Sequence, residues 1–233
     1  MDKFRQIVKD NGLEEEEVLI KGRTLSAEEA IGSPERRDFP ILKGKEKLME
    51  AVFKGAKGQA FTDMPGDFQG NLQQVLAMKP ENNFQRAVLI STMNAVLRYL
   101  GRIDKTIHCH NEDPELCSAE LAQHIKQRFG NPRVALVGFQ PAMLDNLQRH
   151  FKVRVLDLDA DNLAQIKYGV LVEGPDKMQE VLEWCDLIVA TGSTVVNATI
   201  TDYCYLKPAI FYGTTGAAAA ELMGLDRWCH LGS

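Results

Sequence analysis

The sequence predicts an α/β protein in two parts: a small N-terminal α+β domain, residues 1–130, and a C-terminal domain built on a parallel sheet, residues 131–233. The second part carries four short apolar runs separated by helical segments, a pattern typical of a doubly wound sheet. Polar residues or glycine bound each run, as in strands buried on both faces. The first part mixes strand and helix signals without a βαβ repeat, which favours a separate α+β unit.

The composition is that of a globular protein without a nucleic-acid or membrane partner. A chain of 233 residues, of which 45% are hydrophobic, can form one or two compact units. The net charge of -5 argues against nucleic-acid binding, which usually needs a basic surface. No apolar stretch has the length of a membrane span and the first residues lack a signal-peptide core, so we expect a cytoplasmic protein. The five irregularly spaced cysteines favour core thiols, metal ligands or redox groups over disulfide bonds.

The first part contains five elements that can be placed from sequence. An amphipathic helix is predicted over residues 2–10, and a strand begins at Val18 and runs toward Thr24. The segment 47–62 has a glycine-rich turn in its middle, so we interpret it as a hairpin. A short helix near residues 69–78 and a longer one over 84–100 complete this part.

Asn94 lies inside the last of these helices, at a position where a helix that faces the core normally has an apolar side chain. Two interpretations remain open. The asparagine is either exposed or bonded locally, or its amide is directed into a cleft.

The four strands predicted in the second part cover residues 134–137, 153–158, 187–190 and 209–212. Helices are predicted from Pro141, from Asp161 and over 176–184. Ligands of such sheets bind beyond the carboxyl ends of the strands, where the strand order reverses. The residues at these ends are small or polar: Gly138, Gln140, Asp157, Asp159, Thr191, Gly192, Ser193, Thr194, Gly213, Thr214 and Thr215.

Two of these strand ends repeat one device, a glycine-hydroxyl turn that opens a helix. The turns are Thr191–Thr194 and Gly213–Thr215. Free N–H groups and the positive end of the helix dipole make a helix N-terminus suitable for an anion. The alternative is that the hydroxyls only cap their helices, as serine and threonine commonly do.

A dinucleotide site is not expected. Asp157 stands about where a dinucleotide-binding fold places the carboxylate for the ribose. However, the turn after the first strand has a single glycine, Gly138, and the bulky Phe139 would block the approach of a pyrophosphate. We therefore expect no NAD.

A segment between the two parts is rich in metal-binding side chains. Imidazole and thiolate are the groups that bind zinc and softer metals, and His108, Cys109, His110 and Cys117 lie within ten residues. In an extended chain the two imidazoles would share one face and Cys109 would point the other way. Cys117 falls near the start of a predicted helix, whose field favours thiolate. We predict His108, Cys109 and Cys117 as metal ligands, with core or capping roles as the alternative.

Three motifs in the second part resemble a known family in combination. They are Val155–Asp159 with Asn162, the run Thr191–Thr199, and Tyr212–Thr215. Together they resemble the heavy-metal-chelation domain family, whose biochemical function is only conjectured. The resemblance covers about residues 131–231, and the preceding segment looks like the N-terminal partner domain of that family.

What the resemblance implies is an enolase-N-terminal-like domain packed on a Rossmann-like domain, with the site in the cleft between them. This chain departs from many relatives at Cys229, which no proline follows. The cluster around Cys109 is not expected in every member, so its ligand role is inferred from this chain and not from the family.

Two functions from different classes follow. The first is binding or handling of a heavy metal or metal chelate, with a transition or heavy metal held by the cysteine-histidine segment. The alternative is a metal-independent enzyme acting on a small anionic metabolite, with Asp157, Asp63 or His108 as acid or base. A regulatory or scaffold role has no positive sign in the sequence, and whether the chain is an enzyme or a homodimer stays open. The predicted ligand-binding residues are Asn94, Asp157, Asn162, Gly192, Ser193, Thr194, Asn197, Gly213, Thr214 and Thr215.

Overall fold

The computed structural model describes residues 1–21, 27–43 and 46–233, and these residues form one antiparallel and one mostly parallel sheet. The predicted α/β class is thereby confirmed. The elements of the N-terminal half are α1 (Asp2–Asp10), β1 (Glu17–Lys21), α2 (Ala27–Ile31), β2 (Lys47–Phe53), β3 (Ala56–Thr62), β4 (Phe68–Asn71), α3 (Leu72–Ala77) and α4 (Asn83–Tyr99). Those that follow are α5 (Asp113–Phe129), β5 (Val134–Val137), α6 (Pro141–His150), β6 (Val153–Leu156), β7 (Ile166–Lys167), β8 (Val170–Glu173), α7 (Met178–Trp184), β9 (Leu187–Thr191), β10 (Ala209–Tyr212), α8 (Ala217–Met223) and β11 (Asp226–Trp228).

The antiparallel sheet has the strand order β3-β2-β1-β4, and helix α4 packs across it. β2 and β3 form the predicted hairpin, in which Leu48 lies opposite Phe61. α4 approaches the sheet very closely at Gly58, where a Cβ atom would clash with the main chain of Ala95. A glycine is needed there because the backbones of strand and helix nearly touch.

The second sheet has the order β11-β10-β9-β5-β6-β8-β7. Its predicted strands pair in parallel, with Val134 opposite both Val153 and Leu187. Alternate residues of β5 face opposite layers: Leu136 packs with α5 and α6, whereas Ala135 packs with α7 and α8. The sheet is therefore covered on both faces, which explains why its strands are apolar throughout.

The strand order reverses between β5 and β9. From β5 the chain continues to β6 and β8 on one side, and then returns to β9 on the other side. The loops after β5 and β9 therefore diverge and leave room for a ligand at the carboxyl ends of these strands.

The two sheets share a continuous core on one side of their interface. Val196, which follows β9, and Ala218 in α8 are buried together with α4 residues such as Ala95. Helix α5, which precedes the predicted domain boundary, packs on the second sheet through Leu121 and Ile125. The boundary between 130 and 131 itself stays a prediction.

Three local predictions were wrong or incomplete. Residues 68–71 are strand β4 and not the start of a helix, because they pair with β1, and Asn71 then caps α3. The helix predicted from Asp161 is replaced by the hairpin β7–β8. Its turn, Tyr168-Gly169, has positive φ at both residues, as a tight hairpin turn requires. Thr24, toward which β1 was predicted to run, lies outside the described residues.

The two glycine-hydroxyl turns also open shorter helices than expected. Gly192–Val195 forms a single 3-10 turn, and α8 begins at Ala217, two residues after Thr215. Within the part of the chain that the structure describes, no helix is both long and apolar enough to cross a membrane.

Candidate functional site

A cavity of about 660 Å³ lies between the two sheets, at the carboxyl ends of β5, β6, β9 and β10. Residues of the antiparallel sheet and of the segment before α5 line the remaining wall. Such a volume suits a small organic molecule, since ligand pockets commonly measure about 300–1,000 Å³. Nine of the ten predicted ligand-binding residues line it: Asp157, Asn162, Gly192, Ser193, Thr194, Asn197, Gly213, Thr214 and Thr215. Their roles in binding stay predictions.

Asn94 is the predicted residue that does not line the cavity. Its side chain is fully buried, and its amide nitrogen lies within 2.9–3.3 Å of the carbonyl oxygens of Gln59, Thr214 and Thr215. Its amide oxygen accepts from the main-chain nitrogen of Ala218 at 2.8 Å. Neither interpretation from sequence described this arrangement, in which Asn94 joins the first sheet to the second.

The two glycine-hydroxyl turns touch each other in the cavity wall. A Cβ atom on Gly192 would lie 2.5 Å from the nitrogen of Gly216, so the contact requires glycine. Thr215 uses its hydroxyl to accept from the main-chain nitrogen of Phe61 at 3.1 Å, which ties the second turn to β3. The hydroxyl of the neighbouring Thr214 has no hydrogen-bond partner among the described residues, although this threonine is only 1% exposed.

Asp157 organises the loops after β5 and β6. Its carboxylate accepts from the main-chain nitrogens of Phe139 and Asp159, both at 2.6 Å. Burial raises the pKa of this carboxyl, and the hydrogen bonds oppose that rise. Asp157 therefore shapes the cavity wall, whatever it contributes to a ligand.

A segment that we call the strap, residues 32–43, closes one side of the cavity. Its Arg36 is largely buried and reaches three elements of the second half: Glu115 in α5, Asp145 in α6 at 2.9 Å, and the Tyr168 hydroxyl at 2.5 Å. Such multiple ion pairing orients the strap rigidly, since a guanidinium presents its donors in a fixed plane. The strap contributes Phe39, Pro40 and Ile41 to the cavity lining.

His108 lies in the cavity wall as a neutral imidazole. Its Nδ1 is 2.6 Å from the carbonyl oxygen of Cys109, which can only accept, so Nδ1 carries the proton and Nε2 keeps its lone pair. Burial lowers the pKa of this imidazole to about 4. A neutral ring with a free Nε2 can act as a metal ligand or as a base.

Three thiols line the same cavity: Cys109, Cys117 and Cys229. Burial raises the pKa of Cys109 to about 12 and also raises that of Cys229. Cys229 comes from the C-terminal segment, and its only signal in the sequence was the Cys229-His230 pair. His110 is exposed and does not line the cavity, so the face that it was expected to share with His108 is not formed.

These donors do not form a ready-made site for a bare ion. Among residues 1–21, 27–43 and 46–233, no three His, Cys, Asp or Glu side chains are grouped so that they could hold a metal. A structural zinc site normally needs four such ligands. The predicted ligands His108, Cys109 and Cys117 are thus brought to one cavity without completing a coordination sphere.

Carboxylates form another part of the wall. Glu46, which precedes β2, lies in the field of Asp63, Asp157 and Asp159, and burial together with these charges raises its pKa to about 7. No motif marked Glu46 in the sequence, because its neighbours come from other segments of the chain. Among the described lining residues there is neither lysine nor arginine.

Fold and site together define a two-sheet α/β protein with a ligand cavity at the carboxyl ends of its parallel strands. Residues 121–219 match the model of the DUF364 family, described as "Putative heavy-metal chelation", which confirms the family resemblance seen in the sequence. Among curated proteins, none matches the sequence.

Two solved structures share the fold. A DUF364 protein of unknown function from Pyrococcus horikoshii is 17% identical, with a TM-score of 0.55, and the alignment covers 91% of this chain and 79% of that chain. A second DUF364 protein of unknown function, from Desulfitobacterium hafniense, is 13% identical with a TM-score of 0.52, covering 82% and 78%. At these identities the likeness concerns the fold alone.

Proposed function

We propose that the protein binds a metal chelate, a metal ion held by a small organic chelator, in the cavity between the two sheets. The observation that carries this proposal is one cavity lined by His108, Cys109 and Cys117 and by the two glycine-hydroxyl turns. Soft donors suit a transition or heavy metal, whereas hydroxyls and main-chain groups suit the polar atoms of an organic molecule. The description of the matching family, heavy-metal chelation, agrees with this class of ligand.

The incomplete donor set favours a chelate over a bare ion. Because no three side chains of the described residues are grouped around one point, the protein alone offers too few ligands for a stable metal site. A chelator brings its own donors, so one or two protein ligands suffice. The volume of about 660 Å³ is also far larger than a bare ion needs.

His108 supports the metal end of the site in a specific way. Metal-binding histidines usually donate their other ring nitrogen to a carbonyl or carboxylate, which fixes the tautomer. The bond from Nδ1 of His108 to the Cys109 carbonyl does this and leaves Nε2 for the metal. Cys109 then has to lose a proton from a thiol whose pKa is raised to about 12, so binding weakens as pH falls.

The alternative, a metal-independent enzyme for a small anionic metabolite, has less support. The described lining residues include Glu46, Asp63, Asp157 and Asp159 but no lysine or arginine. An anion would face these carboxylates without an opposite charge. A neutral His108 that can accept a proton is the feature that keeps this alternative open.

The test uses cadmium bound to terpyridine, a neutral tridentate chelator that leaves coordination positions free. Wild-type protein should take up one complex per chain, with lower affinity for cadmium alone. Cys109→Ala/Cys117→Ala should lower the affinity at least tenfold, measured by elemental analysis after gel filtration and by thiolate-to-metal absorption. Affinity should rise about tenfold per pH unit for each thiol proton released.

The matched control is Cys185→Ala/Cys204→Ala, which removes two buried thiols that do not line the cavity. This control should keep full uptake. Equal uptake by both double variants, or equal loss in both, would remove the cavity thiols from the proposal.

A further inference from the structure

The carboxylates of the cavity carry information about the charge of its ligand. We define the carboxylate cluster as Glu46, Asp63 and Asp157, contributed by both sheets. Asp63 accepts from the side-chain amide of Asn83, and Asp157 accepts from main-chain nitrogens. None of these donors carries a charge, so the hydrogen bonds do not neutralise the two carboxylates.

Glu46 differs from the other two because it has no hydrogen bond or ion pair with any described residue. Its side chain is partly open, since it faces the cavity, yet protein atoms surround it elsewhere. The groups in its field are Asp63 beyond β3, Asp157 and Asp159 beyond β6, and the Tyr212 hydroxyl at the end of β10. All of them are acidic, and none can compensate a negative charge.

A second observation, independent of the acids, also indicates a missing partner. Thr214 and Thr215 are adjacent and equally buried, but only the Thr215 hydroxyl is bonded. An unpartnered hydroxyl in so buried a position is unfavourable, and such groups in native proteins usually have a reason. A ligand that accepts or donates at Thr214 would provide one.

We propose that the cavity selects a positively charged ligand, whose cationic side lies against the carboxylate cluster, and that binding expels the proton of Glu46 into solvent. This inference rests on the proposed function and assigns the net charge of the chelate. In the free protein Glu46 is a neutral acid that limits repulsion within the cluster. In the complex it is a carboxylate that pairs with the ligand, and the proton is the species released.

The pH range follows from the acid. The pKa of Glu46 is raised to about 7, so most chains carry its proton at pH 6 and few carry it at pH 8. Binding of a cation should therefore strengthen from pH 6 to pH 8. About half a proton should be released per ligand near pH 7, and almost none at pH 8.5.

The experiment uses two cobalt(III) complexes that do not exchange ligands, so that thiols cannot coordinate the metal. Hexaamminecobalt(III) carries three positive charges, and the EDTA complex of cobalt(III) carries one negative charge. Titration calorimetry at 150 mM salt, in two buffers with different ionisation enthalpies, gives both affinity and protons released. Glu46→Gln is the test variant. Glu50→Gln, on the same strand but outside the cavity lining, is the matched control.

The expected result is at least tenfold tighter binding of the cationic complex, with proton release near pH 7 that Glu46→Gln abolishes and Glu50→Gln retains. Equal or tighter binding of the anionic complex would overturn the inference, as would proton release that persists in Glu46→Gln. If hexaamminecobalt(III) fails to bind while cadmium–terpyridine uptake depends on the thiols, the inference falls and the proposed function stands. If the cation binds and the thiols prove irrelevant to cadmium, the reverse holds.

Discussion

The interface between the two sheets has a sealed half and an open half, and they treat polar groups in opposite ways. In the sealed half Asn94 is fully buried and bonded to main-chain groups of both sheets. In the open half Glu46 and the Thr214 hydroxyl line a cavity without hydrogen-bond partners among the described residues. Thr214 belongs to both halves, since its carbonyl binds Asn94 and its side chain lines the cavity.

The difference separates structural from functional polarity. A buried polar group that is fully bonded contributes to a unique packing of the two sheets. One that lacks a partner costs stability, and a protein retains such groups chiefly where a ligand uses them. The same interface thus fixes the sheets on one side and holds a binding site on the other.

The largest expected effect concerns the sealed half. Asn94→Ala leaves buried carbonyls and the Ala218 N–H group without partners, and should destabilise the protein by about 3 kcal/mol. That corresponds to a decrease in Tm of roughly 6–12 °C. Asn197→Ala is the matched control, because Asn197 lines the cavity and its side chain has no hydrogen bond within the described residues. A similar Tm for both variants would contradict the comparison.

An intermediate effect is expected at Glu46 and depends on pH. Because burial and neighbouring carboxylates raise its pKa from 4.5 to about 7, the folded protein holds this proton more tightly than the unfolded chain does. The stability that the proton contributes is present at low pH and is lost as pH rises through about 7. Glu46→Gln should therefore be more stable than wild type by about 1–2 kcal/mol at pH 8 and no more stable at pH 4.5.

Denaturant unfolding at both pH values measures this difference. A stability gain of the same size at pH 4.5 would show that the substituted amide acts by packing and not by removing a charge. In that case the electrostatic account of the open half would be wrong.

The smallest effects come from the two adjacent threonines. Thr215→Val removes the acceptor for the buried Phe61 N–H group and should cost about 1–2 kcal/mol. Thr214→Val replaces a hydroxyl that has no partner among the described residues, so its stability should stay within about 0.5 kcal/mol of wild type. Chemical denaturation of both variants gives the comparison. A larger loss for Thr214→Val would mean that its hydroxyl is already satisfied in the free protein.

Much of the second sheet could be predicted from the sequence because its information is local. Strands buried on both faces must be apolar, and the run Leu187–Ala190 is. The rule that ligands bind beyond the carboxyl ends of parallel strands then located nine residues that do line the cavity, the glycine-hydroxyl turns among them. The predictions failed at β4 and at β7–β8, where short strands form only because a neighbouring strand pairs with them.

The sequence by itself determined the α/β class, the parallel order of strands in the second half and the position of a site at their ends. Only the tertiary structure decided that Asn94 seals the interface, that Cys229 joins Cys109 and Cys117 in one cavity, and that Glu46 lies among other carboxylates. The physical reason is range. Hydrophobic patterning and turn chemistry act over a few residues, whereas burial and electrostatic neighbours depend on segments that are far apart in the chain.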